Sequence, residues 1–217
     1  MCAHHQEIEV KFCVQDLGKV EARLQELGAR LLCPRLHELN LRYDRPDGSL
    51  RRAHQVLRLR RSGEVKLTYK GPSSIVDGAM SRQEIEFTVG DFEAVKAFLE
   101  ILGYQIVVIY EKYRTVYELE TPGVFKDAGC LIMLDELPYG SFVEIEGPDA
   151  ASIRAAADRL GLRWEAAIAE SYLALFERLR GKLGFTFRDL MFENFAGLNA
   201  PTVQFFGAQE RKSIEFR

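Results

Sequence analysis

Apolar and charged residues alternate with period two in eight stretches of this chain, the pattern of half-buried β-strands. Residues 7–12 read Glu, Ile, Glu, Val, Lys, Phe. Residues 57–60 put Leu57 and Leu59 on one face and Arg58 and Arg60 on the other. Residues 64–70 set Val65, Leu67 and Tyr69 against Lys66 and Lys70, and Ser62-Gly63 between these two runs predicts a hairpin. Residues 84–87 repeat the first pattern. Residues 106–117 form a longer run with Lys112 and Arg114 together. Residues 131–135 and 142–146 flank Pro138-Tyr139-Gly140 and predict a second hairpin. Residues 40–44 add a strand, ended by the turn Arg45-Pro46-Asp47-Gly48.

Helical spacing takes over between these runs. Leu17, Val20, Leu24 and Leu27 follow Asp16 and stop at Gly28; Phe92, Val95, Leu99 and Leu102 follow Asp91 and stop at Gly103; Ile153, Ala157 and Leu160 follow Asp149 and stop at Gly161. Each Asp is a predicted N-cap and each Gly a C-terminal stop. Each such unit is preceded by the tripeptide Glu-Ile-Glu, at residues 7, 84 and 144. The copies begin 77 and then 60 residues apart, too uneven for a solenoid array. A fourth helix is predicted over residues 165–180. The pattern therefore predicts one α+β domain over residues 1–180. From Gly181 to residue 217 the periodicity is lost, and Phe185, Phe187, Phe192, Phe195, Phe205 and Phe206 are spread among polar residues in a tail of no assigned role.

Composition narrows the class without naming a chemistry. The 217 residues suffice for one full core. A net charge of −3 argues against nucleic acid as a partner. No apolar run approaches the roughly 18 residues of a membrane span, and no charged-then-apolar leader opens the chain. Cys2, Cys13, Cys33 and Cys130 show no C-x-x-C spacing and read as reduced thiols. A cytoplasmic protein with no membrane partner is the expectation. The four histidines read as surface residues, and Ser171-Tyr172 as core packing.

The strand faces carry the chemistry. Helices can cover the apolar face, which leaves Glu7, Glu9, Lys11, Arg58, Arg60, Lys66, Lys70, Glu84, Glu86, Lys112, Arg114, Asp135, Glu144 and Glu146 on the other. A solvated outer sheet face is the ordinary account of any one such strand. Taken together, the positions are nearly all formal charges, and the pairs Arg58/Arg60 and Lys112/Arg114 repel unless an anion lies between them. Paired bases and paired acids suggest a polyanion held by the bases and divalent cations held by the carboxylates. If the strands close on themselves, this face lines a narrow interior.

Glu7-Ile8-Glu9-Val10-Lys11 resembles the E-x-E-x-K signature of the CYTH superfamily, the triphosphate tunnel metalloenzymes. It is joined, in the family's order, by residues 43–48, Leu57-Arg58-Leu59-Arg60, residues 66–72, Glu84-Ile85-Glu86, Glu111-Lys112-Tyr113-Arg114, Leu134-Asp135 and residues 142–146. The stretches at 66–72 and 111–114 look most like the class IV adenylate cyclase and thiamine triphosphatase branch. The resemblance implies a closed antiparallel eight-stranded β-barrel, a triphosphate tunnel, with helices packed outside. It implies Mg²⁺ or Mn²⁺ as cofactor and a triphosphate-containing small molecule as partner: ATP, inorganic triphosphate or thiamine triphosphate. By position, Lys11, Arg58, Arg60, Lys66, Lys112 and Arg114 are expected to bind the triphosphate. Glu7, Glu9, Asp135, Glu144 and Glu146 are expected to hold metal, with Lys11, Glu9 and Asp135 as the catalytic set. Glu84 and Glu86 are expected to orient the bases from behind, and Lys70 to guard the rim. Arg42 stands where the family pattern has an aromatic. The resemblance also hints that Ser171-Tyr172 plugs one tunnel mouth, as the alternative to core packing. The expected activity is conversion of ATP to cyclic AMP and pyrophosphate, with triphosphate hydrolysis as the alternative and binding without turnover as a third reading. A homodimer is a further expectation.

Overall fold

A computed structural model describes residues 5–120, 129–198 and 206. Cys2, His4 and Phe205 lie outside the described residues, as does the side chain of His5. Eight strands form one antiparallel sheet: β1 (His5–Val14), β2 (Arg30–Asp44), β3 (Val56–Ser62), β4 (Glu64–Val76), β5 (Ala79–Val89), β6 (Gln105–Leu119), β7 (Cys130–Leu137) and β8 (Gly140–Glu146). The sheet closes as a barrel in the order β1-β5-β4-β3-β2-β6-β7-β8. Closure pairs Glu9 with Glu146 and Lys11 with Glu144 on one side of β1, and Glu7 with Arg82 on the other.

Capping sets the helices. In α1 (Leu17–Glu26) Asp16 accepts from the N–H groups of Gly18 and Lys19; in α3 (Phe92–Ile101) Asp91 accepts from that of Ala94; in α4 (Ala150–Arg159) Asp149 accepts from that of Ser152. Each such cap contributes about 1 kcal/mol. The close seat of α4 on the barrel requires Gly147, where a Cβ would meet Cys130 Sγ and Ile153 Cγ1 at 2.9 Å. A short helix, α2 (Ser49–Arg52), follows the turn after β2 and is held by Asp44, which accepts from the N–H groups of Leu50 and Arg51.

Three apolar layers cover the barrel. Helices α1 and α4 bury Val10, Phe12, Ile132, Val143 and Ile145 of β1, β7 and β8. Helix α3 covers Leu41, Tyr43 and Leu59 of β2 and β3. The third layer differs in kind. Helix α5 (Tyr172–Leu183) packs Leu175, Phe176 and Leu179 against Cys13, Tyr110, Leu137 and Phe142, which share a strand face with the charged residues. It therefore stands across one end of the barrel rather than along its side.

Several boundaries differ from the alternation pattern. Strand β2 begins at Arg30, ten residues before the predicted start, because register shifts near Cys33 and Leu36 break the period. Strand β4 runs on past Gly71-Pro72 through an irregularity between Lys70 and Ser73, and β5 begins at Ala79 after a turn at Asp77-Gly78. The predicted helix over 165–180 is a 3₁₀ turn at Trp164–Ala166, then α5. Between them Ile168 pairs with Lys11, exchanging backbone hydrogen bonds of 2.8 and 3.0 Å, so the segment serves as a strand partner where β5 no longer reaches β1. Beyond α5, Phe185, Phe187 and Phe195 pack with Phe176, and Leu190 bridges to Tyr110. That stretch completes the layer over α5.

Candidate functional site

Strand pleat turns charged residues inward, and those of every strand but β7 line a cavity of about 1290 Å³, with Asp135 of β7 buried in its wall. That exceeds the ~300–1,000 Å³ of ordinary ligand pockets. One mouth is rimmed by Glu64, Leu131 and Glu146; the other lies between α2, with Arg51 and His54, and residues 169–174 before and within α5.

Every base expected at the site faces this cavity, and each is held by an acid. Glu86 accepts from Arg58, Arg60 and Lys66 at 3.4, 3.3 and 2.9 Å, and from the Thr68 hydroxyl at 2.9 Å. Asp135 is fully buried and accepts from Lys112 at 3.0 Å, from Arg114 at 2.6 and 2.5 Å, and from the Tyr172 hydroxyl at 2.7 Å. Its oxygens are thus taken up by the bases that it orients. Glu144 joins Arg114 at 2.8 Å and Lys11 at 3.2 Å, and Glu9 joins Lys11 at 2.5 Å. Lys70 does not stand at a rim. It is buried between Glu7 at 2.6 Å and Glu84 at 2.9 Å, because β4 continues past it.

Four residues in or behind the channel wall escaped the alternation pattern. Glu38 is buried and reaches Arg60 at 3.5 Å and Lys112 at 3.7 Å. Arg82 donates to Glu7 at 3.2 Å. Asn40 is fully buried on the same face as Glu38. Tyr172 is the fourth; it packs in the core layer under α5, as expected, and also reaches the channel. Its ring lies 5.1 Å from both Lys11 Nζ and Lys112 Nζ while its hydroxyl binds Asp135, so it forms the α5 side of the charged channel. A charge at every second position through residues 38–42 would have signalled β2, had Asn40 not interrupted it. Nothing local marks Tyr172, since a capped helix often starts on a buried aromatic.

The electrostatics divide the acids into two kinds. Burial by itself would push the Glu38 and Glu86 carboxyls up. The neighbouring cations, Lys112, Arg114 and Arg60 for Glu38, and Arg60, Lys66 and Arg58 for Glu86, outweigh it and hold both at about 2. Glu146 is the opposite case. Burial, then the charges of Glu7, Glu144 and Glu9, push it up to about 7. It makes no hydrogen bond or ion pair among the described residues.

The first kind predicts acid sensitivity. A carboxyl whose folded value lies below its unfolded one stabilises the fold above the unfolded value, and loses that contribution as pH falls. Melting temperature is expected to drop between pH ~4.5 and ~2 as Glu38 and Glu86 protonate. Glu38→Gln should flatten that slope; an unchanged slope would remove Glu38 from the cause.

Among the described residues, no three Asp, Glu, His or Cys side chains already converge as a cation cage. The donor chemistry nevertheless fits a hard divalent ion. Glu146 meets Glu9 across β1–β8, all the groups are carboxylates, and the attraction of Lys70 for Glu146 is outweighed by the neighbouring acids, with no ion pair formed among the described residues. Beside this acidic corner, Val116, Leu131 and Met133 form an apolar wall of the same mouth.

Comparison with known proteins agrees with this architecture. The CYTH domain profile matches residues 5–159. A protein of Methanocaldococcus jannaschii, provisionally named an adenylate cyclase, is 30% identical over 115 residues, 52% of this chain and 65% of the relative. The match thus spans slightly less than two thirds of that relative's length. A Vibrio parahaemolyticus structure under the same provisional name superposes with a TM-score of 0.68 at 18% identity, over 80% of this chain and 99% of that one. A Hippeastrum protein, described as an adenylyl cyclase candidate with a dominant triphosphatase activity, gives 0.59 at 16% identity, over 79% and 95%. With the profile covering most of the barrel and α1 to α4, this chain belongs to the CYTH domain family.

Proposed function

We propose that this chain is a divalent-metal-dependent enzyme acting on an organic triphosphate, with ATP cyclised to cyclic AMP and pyrophosphate as the leading reaction. The observation that carries the reading is the continuity of three surfaces in one cavity: an apolar wall at Val116, Leu131 and Met133, an acidic corner at Glu146, and a basic channel at Arg58, Arg60, Lys112 and Arg114. The apolar wall suits the nucleoside, and the channel suits the phosphate chain. Arg guanidinium groups match phosphoryl oxygens with two parallel bonds, and the enclosed walls strengthen each contact by excluding water.

In cyclisation the ribose 3′ oxygen bonds to the α-phosphorus, the bond from that phosphorus to the α–β bridging oxygen breaks, and the hydroxyl proton leaves to solvent. The channel's share is to hold the chain in line and to neutralise the charge that develops on the departing pyrophosphate. Glu86, Asp135 and Glu38 keep the bases extended into the channel before substrate arrives, so little reorganisation is needed. Mg²⁺ or Mn²⁺ fits the donor set of Glu7, Glu9, Glu144 and Glu146, and when bound supplies Lewis-acid polarisation of phosphoryl oxygens. Hydrolysis of the terminal phosphoryl group is the second reading. It is supported by Tyr172, which lines the α5 side of the channel beside Lys11 and Lys112 and would hold the terminal part of a chain against those bases.

The test is product identification. Purified protein is incubated with Mg²⁺ or Mn²⁺ and, separately, with ATP, tripolyphosphate and thiamine triphosphate. Cyclic AMP with pyrophosphate supports the cyclase; orthophosphate without cyclic AMP supports hydrolysis and ends the cyclase reading. Arg60→Met is expected to raise KM roughly ten- to a hundredfold, the loss of one charge-assisted contact. An unchanged KM would place Arg60 outside the substrate site.

A further inference from the structure

Arg42 lies in the channel without an ion-pair partner among the described residues. It pairs across β2–β3 with Arg58, so two guanidinium groups stand side by side. Arg58 has Glu86, Thr68 and the Tyr110 hydroxyl as partners. Arg42 has no hydrogen bond or ion pair among the described residues, and its Nε is buried without a partner. Its nearest acid in sequence, Asp44, is committed to the backbone N–H groups of Arg45, Leu50 and Arg51. Two residues earlier on the same face, both polar atoms of the Asn40 side chain are also buried without a partner. Burial, joined by the charges of Arg58 and Arg82, outweighs the attraction of Tyr110 and Asp44 and lowers the Arg42 guanidinium's affinity for its proton. An unpaired charge of this kind costs stability, and the ordinary remedy is a bound anion.

Its place along the channel says which anion. The acidic corner and apolar wall lie at the Glu146 mouth, and the bases held by Glu86 and Asp135 come next. Arg42 lies further on, toward the mouth beneath α2, where the cavity continues past it to Arg51 and Gln55. We infer that Arg42 forms a subsite for a fourth phosphoryl group, so that this tunnel takes a linear chain longer than a triphosphate. The inference rests on the proposed phosphate-chain site and specifies the length of its substrate. It also accounts for an Arg on β2 with which no described acid of the channel pairs.

The experiment is calorimetric titration in metal-free buffer, with chelator present so that no chain is turned over. Tripolyphosphate is compared with tetrapolyphosphate, and ATP with adenosine 5′-tetraphosphate. In the wild type the four-phosphate ligand of each pair is expected to bind about tenfold tighter than its three-phosphate counterpart, the worth of one modest charge-assisted contact. In Arg42→Gln that ratio should fall to about one, and Arg42→Lys, which keeps the charge but loses the fork, should restore part of it. An increment in the inorganic pair alone would assign the subsite to a free chain, and in both pairs to either source. A wild-type ratio near one, or a ratio unchanged in Arg42→Gln, overturns the inference while leaving the triphosphate site standing. Absence of binding by all four ligands overturns the triphosphate site as well. Melting curves supply an independent check: Arg42→Met should raise the melting temperature of the free protein, and a lower one would mean that the guanidinium has a structural partner.

Discussion

Asp135→Asn is expected to lower the unfolding free energy by about 3–5 kcal/mol, the usual cost of stranding a buried charge. The substitution keeps the shape and removes only the charge. The carboxylate is inaccessible to water and receives Lys112, both donor edges of Arg114, and the Tyr172 hydroxyl. An amide in its place presents one acceptor and one donor, so at least one cation faces an N–H group. Glu144 and Glu38 still face Arg114 and Lys112, which favours the lower end of the range. Since a domain of this kind has only ~5–15 kcal/mol to lose, the variant should unfold at a much lower urea concentration with an unchanged m-value. Inorganic tripolyphosphate should restore part of the loss by giving the bases an anion. A change below 1 kcal/mol would show that water screens these pairs and that the interior is not the enclosed channel described.

Glu146→Gln is expected to act in the opposite direction. The folded protein holds the Glu146 proton up to about 7, against 4.5 for an unperturbed glutamate. Between those values the unfolded chain has released the proton and the folded chain has not. The folded state therefore binds more protons, and stability falls as pH rises through that window. The penalty is fully present above pH 7 and absent below pH ~4.5. After allowance for partial contact with water it is on the order of 2 kcal/mol. The glutamine variant should then melt higher than wild type at pH 8 and equally at pH 4.5. Addition of Mg²⁺ or Mn²⁺ should raise the wild-type melting temperature at pH 8 and raise that of Glu146→Gln much less. Equal metal-induced shifts in the two proteins would exclude Glu146 from the cation site, and a parallel pH dependence would exclude the repulsion argument.

Much of this arrangement is legible in the chain. Period-two alternation places Glu7, Glu9, Lys11, Arg58, Arg60, Lys66, Lys112, Arg114, Asp135, Glu144 and Glu146 on one face because a pleated strand turns every second side chain the same way. Asp16, Asp91 and Asp149 mark helix starts because only such side chains satisfy the first free N–H groups. The signal fails where backbone geometry departs from the ideal period. Register shifts in β2 hide its first ten residues, and the Gly71-Pro72 irregularity suggests a strand end where β4 runs on, so that Lys70 looks like a rim residue. Tyr172 is hinted at only by the family resemblance: its role depends on where α5 lands, and no local pattern encodes the destination of a helix.

The sequence by itself determined the facing of each strand, the capping of α1, α3 and α4, and the kinds of charge available for a site. The partnering of those charges was decided only by tertiary structure. Lys70 meets Glu7 from 63 positions away, and Arg114 meets Glu144 from 30. Those distances are set by closure of the sheet, which brings β1 between β5 and β8, and by the register of each ladder, where a shift of one residue would turn every charge outward. Closure also decided which side chains found no partner. Arg42 and Glu146 are ordinary strand residues in the chain, and they become an unpaired cation and an unpaired acid only because the strands opposite them in the barrel bring no opposing charge close enough to pair with either.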